Sequence, residues 1–187
     1  MSQHGRQIDL STTKQKAGVM LFRPNRQMTL ANFESRPGNV HARSAAGWFA
    51  SCRGTFCCEH ILILAGCKEA GKTHLLHATA NRIGSNETIR GGITISAGRL
   101  AEEVQRAIEY DDLPCWSRRF ASEDFLAVDD VDDLFCRVEV ADFLLEVLRL
   151  RLDSRRRTLL SATLTTAQDV SCPLNTFLNR QTAVRLI

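Results

Sequence analysis

The fold is decided by residues 60–74, HILILAGCKEAGKTH, where an apolar run leads into a glycine-rich turn and then into a helix. The turn, Gly66 to Thr73, fits the pattern G-x-x-x-x-G-K-[ST]. Its glycines let the backbone curl so that successive N–H groups point at a phosphate, and the following helix adds its positive amino end. The segment therefore predicts a phosphate-binding loop, or P-loop.

Individual positions of this loop have expected roles. Lys72 is expected to reach the β- and γ-phosphates of a nucleotide, and Thr73 to offer its hydroxyl to Mg²⁺. The alternative is a glycine-rich turn without a ligand, but the strand before it and the helix after it favour a nucleotide. The predicted cofactor-binding residues are Gly66, Cys67, Lys68, Glu69, Ala70, Gly71, Lys72, Thr73 and His74.

Outward from the loop, apolar strands alternate with amphipathic helices. This alternation predicts a parallel, doubly wound sheet of five strands in an α/β fold. The predicted strands cover residues 60–64, 93–96, 124–130, 158–162 and 183–187, and the predicted helices cover 72–83, 99–110 and 138–152.

Two segments precede the first strand. Residues 1–27 are polar and predict a flexible N-terminal arm, so the nucleotide-binding domain is expected to cover 28–187. Residues 39–52 predict a helix with one packing face, formed by Val40, Ser44, Gly47 and Trp48.

A second motif lies at the end of the strand FLAVDD, residues 125–130. An apolar strand ending in two carboxylates is typical of a Walker B element, in which Asp129 holds Mg²⁺ and Asp130 orients or deprotonates a water molecule. The alternative is an acidic strand end, since Asp132 and Asp133 follow. Ser161 and Thr163 lie at the carboxyl end of the strand TLLSATLTT, where a polar side chain can contact the γ-phosphate or the attacking water. Ser161 is predicted, with Asp130, to be catalytic, although Ser and Thr are also common at strand ends for turn reasons.

Composition narrows the class of protein. The 187 residues are 44% hydrophobic with a net charge of +3, which is too small an excess to indicate nucleic-acid binding from bulk charge. The seven cysteines form no CxxC pair, which is typical of reduced thiols. The N-terminus has no apolar signal region and no run is long enough to span a bilayer, so we expect a cytoplasmic protein without a membrane contact.

Three runs carry a family resemblance: MTLANFESRPGNVHARSAA, LILAGCKEAGKTHLLHATANRI and DFLAVDDVDDLF. They resemble the AAA+ module of the bacterial replication initiator family that includes DnaA and Hda, and the resemblance extends over residues 28–187. It implies a three-layer αβα P-loop NTPase, ATP or ADP with Mg²⁺ as cofactors, and a role in replication initiation or its control. The motif residues that match by position are Gly66, Gly71, Lys72, Thr73, Asp129 and Asp130.

The sequence also departs from this family. The segment FLNRQTAVRL places Arg180 or Gln181 where the family has its arginine finger, and we expect an AAA+ core without the helical lid. The family's DNA-reading domain is not recognised, so no sequence-specific binding of duplex DNA is expected.

Expected partners are DnaA or another replication protein. The stretch from Gln7 to Leu10 resembles the Q-x-x-L peptides that bind the sliding clamp, although four residues in a polar arm also occur by chance. The leading hypothesis is a regulator of replication initiation that acts through protein contacts and hydrolyses ATP slowly, if at all. The alternatives are an ATPase loader resembling DnaC and IstB that acts on DNA or helicase, and an interaction module with an idle P-loop.

Overall fold

The computed structural model describes residues 23–52, 60–85, 91–163, 172–181 and 183–186. Its centre is one parallel sheet with the strand order β2-β3-β4-β1-β5, so the predicted five-stranded parallel sheet is confirmed. The strands are β1 Ile61–Gly66, β2 Gly92–Ser96, β3 Phe125–Asp129, β4 Arg157–Thr163 and β5 Ala183–Leu186.

Helices connect the strands. Those predicted at 72–83, 99–110 and 138–152 are present, whereas two further helices, Leu113–Ser122 and Pro173–Leu178, have no counterpart in the sequence prediction. Both unpredicted helices are short and carry a proline in their first turn. The helices are α1 Val40–Ser51, α2 Lys72–Gly84, α3 Ala97–Glu109, α4 Leu113–Ser122, α5 Val138–Asp153 and α6 Pro173–Leu178, and a short 3-10 turn covers Val131–Leu134.

The sheet is covered on both faces. Alternate side chains of β1 enter two different cores: Ile61 and Ile63 pack with helices α3 to α6, whereas Leu62 and Leu64 pack with α1 and α2. This is the alternation expected of a strand buried on both sides. The three-layer αβα arrangement is therefore confirmed. None of the helices among the described residues is long and apolar enough to cross a membrane.

Helix α1 packs through a different face from the one predicted. Val40 and Trp48 are 45% and 51% exposed, while Ala42, Ala46 and Phe49 are buried against α2 and the sheet. The prediction of the packing face was therefore wrong. The alanines at i and i+4 allow the two helices to approach closely, and that contact decides which face is buried.

Residues 25–33, here named the strap, lie along α2. The Asn25 N–H donates to His77 Nδ1 at 3.2 Å, and the Asn81 amide donates to the carbonyls of Asn25 and Met28 at 2.7 and 2.8 Å. Asn25, inside the segment expected to be an arm, thus contacts the domain. Residues 1–22 of that arm, including Gln7 to Leu10, lie outside the described residues.

A buried arginine of α5 links the end of α4 to β4 through hydrogen bonds. Arg151 of α5 is fully buried and donates to the carbonyls of Phe120, Glu123 and Arg157 at 2.7, 2.8 and 2.7 Å, and to Thr158 Oγ1 at 2.9 Å. Burial lowers the pKa of Arg151 to about 10, so it remains charged at neutral pH. The guanidinium closes the end of α4 and ties it to β4.

Candidate functional site

Two glycines shape the turn between β1 and α2. Gly71 caps the amino end of α2 at φ +93°, a left-handed conformation that favours glycine. A Cβ added at Gly66 would lie 2.5 Å from the carbonyl oxygen of Leu186, and one at Gly71 would lie 2.9 Å from Cε2 of Phe33. Both glycines of the motif are therefore required by close contacts as well as by the curl of the loop.

Lys72 places its ammonium inside this loop. The side chain is only 5% exposed, and Nζ donates to the carbonyl oxygens of Cys67 at 2.9 Å and Gly66 at 3.2 Å. Among the described residues no carboxylate forms an ion pair with this ammonium, so a cation held by neutral carbonyls keeps its attraction for anions. The side chains of Lys68 and Glu69 point outward and are exposed. The loop thus offers a positive centre and backbone N–H groups.

His74, in the first turn of α2, faces the strap. Its ring lies edge-on to Phe33 with the centroids 5.3 Å apart. Its Nε2 lies 3.1 Å from the carbonyl oxygen of Thr29 and 3.2 Å from Oδ1 of Asn32. The structure therefore gives this predicted cofactor-binding residue a place in the contact between the strap and the loop helix.

The acidic pair stands at the carboxyl end of β3. Asp129 is buried, and Asp130 follows in a left-handed conformation at φ +56°. The hydroxyl of Ser161 donates to Asp129 Oδ1 and accepts from the Asp130 N–H at 2.8 Å. Ser161 is fully buried, so its side chain contacts the two aspartates and presents no exposed surface to a phosphate. The three residues predicted at this edge are brought together, with Ser161 in a different orientation from the one expected.

Charge links this pair to the P-loop. Burial is the largest effect that raises the pKa of Asp130 above its ordinary range, and the charges of Asp129, Asp132 and Asp133 raise it further. The positive charge of Lys72 opposes them and lowers it. Lys72 of the loop and Asp130, directly after β3, are therefore close enough for their charges to interact.

The imidazole of His77, on α2, is influenced by Asp129 and His74. Burial lowers the pKa of His77, the charge of Asp129 raises it, and the charge of His74 lowers it. The lowered pKa agrees with the role of Nδ1 as acceptor of the Asn25 N–H, since this nitrogen accepts only when it carries no proton. Sequence reasoning assigned no role to His77 or to the strap that contacts it.

Asp132 was also missed, because the sequence reading treated it as part of an acidic strand end. Its Oδ1 accepts from the Thr163 N–H at 2.8 Å and so joins the 3-10 turn to the end of β4. The spacing of an acid three residues after the first aspartate was visible, but its partner depends on how β3 and β4 pair. Arg180, which with Gln181 stands at the position of the family's arginine finger, lies exposed just after α6.

The donor set fits a magnesium ion shared with a nucleotide. Thr73, the second residue of α2, is half-buried, and Asp129 supplies one carboxylate. Among the described residues, no group of three or more His, Cys, Asp or Glu side chains is arranged to hold a metal ion. Magnesium commonly binds through one or two protein oxygens, phosphate oxygens and waters, and a hydroxyl with one carboxylate suits that mode.

The strand order, the loop after β1 and the aspartates after β3 define a P-loop NTPase core of the AAA+ class. Residues 24–171 match the family described as the bacterial DnaA ATPase domain. The chain belongs to that family.

Similar proteins agree with this assignment. The chromosomal replication initiator protein DnaA of Rickettsia massiliae (strain Mtu5) is 26% identical over 135 residues, which cover 72% of this chain and 29% of that protein. The chain thus spans less than a third of the length of the curated relatives it matches.

Two solved structures share the fold. The replication initiator DnaA bound to AMPPCP and single-stranded DNA superposes with a TM-score of 0.77 at 21% identity, covering 87% of this chain and 50% of that one. The DnaC helicase loader superposes with a TM-score of 0.67 at 14% identity, covering 87% of this chain and 98% of that one.

Proposed function

We propose that the chain binds ATP or ADP with Mg²⁺ at the loop from Gly66 to Thr73. The observation that supports this most is the buried ammonium of Lys72, held inside the loop by neutral carbonyls and electrostatically coupled to Asp130. Such a cation gives the loop an unneutralised positive centre beside an acidic strand end. The similarity in fold to a DnaA bound to AMPPCP is consistent with an adenine nucleotide.

In this proposal the residues divide the phosphates and the ion between them. Backbone N–H groups of the loop and the Lys72 ammonium hold the phosphate oxygens, while Thr73 and Asp129 hold Mg²⁺. When bound, the ion neutralises charge that develops on the phosphates. Asp130, half-buried beside Asp129, orients the attacking water. Its raised pKa favours accepting a proton from that water, because a more basic carboxylate is the better general base.

We further propose that the nucleotide state controls contacts with other replication proteins, DnaA first among them, in the cytoplasm. The membership of the DnaA ATPase family supports a role in chromosomal replication initiation. In this role the chain regulates initiation by protein contacts and does not read duplex DNA sequence, and Gln7 to Leu10 is a candidate peptide for the sliding clamp.

DnaA from the same bacterium provides the test of this role. The two proteins are mixed without nucleotide, with Mg·ADP and with Mg·ATP, and complexes are separated by size-exclusion chromatography. We expect a complex in one nucleotide state that the Lys72→Ala variant does not form. Absence of association under all three conditions would reject the regulator hypothesis.

A loader acting on DNA or helicase is the second candidate. It is favoured by the extent of the similarity to the DnaC helicase loader, of which the chain covers 98%. A loader predicts ATP turnover that single-stranded DNA stimulates, whereas a regulator predicts stimulation by its protein partner. Phosphate release measured with each addition separately distinguishes the two.

A further inference from the structure

Ser161 of β4 is a fully buried polar residue that lies beside the two aspartates at the end of β3. It follows Leu160, which pairs with Val128, so the register of the sheet places it beside Asp129. The side chain has no exposed surface. Its single proton is donated to Asp129 Oδ1, and its oxygen accepts the Asp130 N–H at 2.8 Å. The hydroxyl therefore has no proton left to donate to a phosphate oxygen or a water, and its remaining lone pair is buried.

Each of these two hydrogen bonds fixes the geometry of one aspartate at the proposed magnesium site. The bond to Asp129 engages one carboxylate oxygen and sets the plane of the group, which leaves the second oxygen in a defined direction. The bond from the Asp130 N–H supports a left-handed backbone at φ +56°, a conformation that residues other than glycine adopt at a cost. A second tie, from the Thr163 N–H to Asp132, holds the following turn to the same strand.

We infer that Ser161 is a positioning residue that orients Asp129 toward the magnesium ion and holds Asp130 in place, and that it does not touch the nucleotide. This inference rests on the proposed function, in which Asp129 holds the ion. Hydrogen-bond partners of metal ligands commonly control metal affinity by about ten- to a hundredfold. Loss of the hydroxyl is therefore expected to weaken magnesium binding selectively.

The test separates magnesium affinity from nucleotide affinity. A fluorescent ATP analogue is titrated into the protein in EDTA, and Mg²⁺ is then titrated at a fixed nucleotide concentration. For Ser161→Ala we expect the Mg²⁺ concentration at half-saturation to rise about tenfold or more, with unchanged nucleotide affinity in EDTA. Ser117→Ala is the matched control, because Ser117 is also a buried serine that donates to a carboxylate, Glu146 Oε1 at 3.3 Å, away from the loop.

The outcomes separate the inference from the function on which it rests. An unchanged magnesium half-saturation in Ser161→Ala would overturn the positioning role while leaving nucleotide binding in place. Equal weakening in EDTA and in Mg²⁺ would show a merely structural residue and would also overturn it. If the wild-type protein binds nucleotide without any response to Mg²⁺, the proposed function itself fails. Should Ser161→Ala not fold, Ser161→Cys keeps the shape with a weaker donor, and the same outcomes apply.

Discussion

The ring of Phe33 lies against Gly71, so that a Cβ at Gly71 would come within 2.9 Å of Cε2. The strap and the P-loop thus meet at Gly71, which also has φ +93°. Gly71→Ala combines a steric conflict with an unfavourable backbone conformation. We expect it to lower the free energy of unfolding by more than about 1 kcal/mol and to weaken nucleotide binding.

The matched control is Gly47→Ala in helix α1. An added Cβ at Gly47 meets nothing within 4 Å, so this variant is expected to gain about 0.4–1 kcal/mol. Urea unfolding curves of both variants give the comparison. A stable Gly71→Ala that binds nucleotide like wild type would show that the loop tolerates another conformation.

Replacing Arg151 tests what holds α4 and β4 together. Arg151→Met removes the guanidinium that donates to the buried carbonyl of Phe120 and to the partly buried carbonyls of Glu123 and Arg157. Because an unsatisfied buried group costs about 1–3 kcal/mol, we expect a loss of at least about 3 kcal/mol of unfolding free energy. The exposed Arg149 of the same helix serves as control, and Arg149→Met is expected to change stability by less than about 0.5 kcal/mol. Similar losses in both variants would rule out the bridging role.

Stability should depend on pH through His77. Burial lowers its pKa in the folded protein, partly opposed by the charge of Asp129, so the unfolded chain binds the proton more readily. The contribution is therefore full above the unfolded pKa of about 6.5 and is lost as the pH falls below it. Protonation also removes the acceptor for the Asn25 N–H. His77→Asn, which does not titrate and keeps a side-chain acceptor, is expected to lose less stability on acidification.

Urea midpoints of wild type and His77→Asn between about pH 5 and about pH 8 give this comparison. Titrating groups that are not coupled to position 77 are common to both proteins and cancel in the difference. Parallel pH profiles would mean that His77 is not responsible.

Hydrolysis, if present, should depend on Asp130. The charge of Asp129 beside it and its raised pKa suit a group that accepts a proton from water. We expect slow phosphate release from the isolated chain, because no arginine finger is assigned to it. Asp130→Asn should reduce that release by about a hundredfold or more while nucleotide affinity persists. Asp142→Asn, exposed on α5, is the control. Turnover that is fast and unaffected by Asp130→Asn would reject this role.

The elements were predictable from the sequence where one local pattern dominates. The apolar runs of β1 and β3 and the glycines around Lys72 fix strands and loop without distant partners. Strand order was not predictable, and the orientation of Ser161 depends on it, because only the pairing of β3 with β4 puts that serine beside Asp129. The contact between Asn25 and His77 joins residues 52 positions apart, and no local pattern encodes it.

Titration of a fluorescent ATP analogue into wild type and Lys72→Ala in the presence of Mg²⁺ tests the central proposal most directly. Removing a charge-assisted contact to phosphate is expected to cost about 1.5–3 kcal/mol, which is roughly ten- to a hundredfold in affinity. Arg82→Ala, which removes an exposed cation from the other end of α2, should bind like wild type. Saturable binding by wild type and Arg82→Ala with this loss in Lys72→Ala is the predicted result. Equal affinity of wild type and Lys72→Ala would contradict nucleotide binding at this loop.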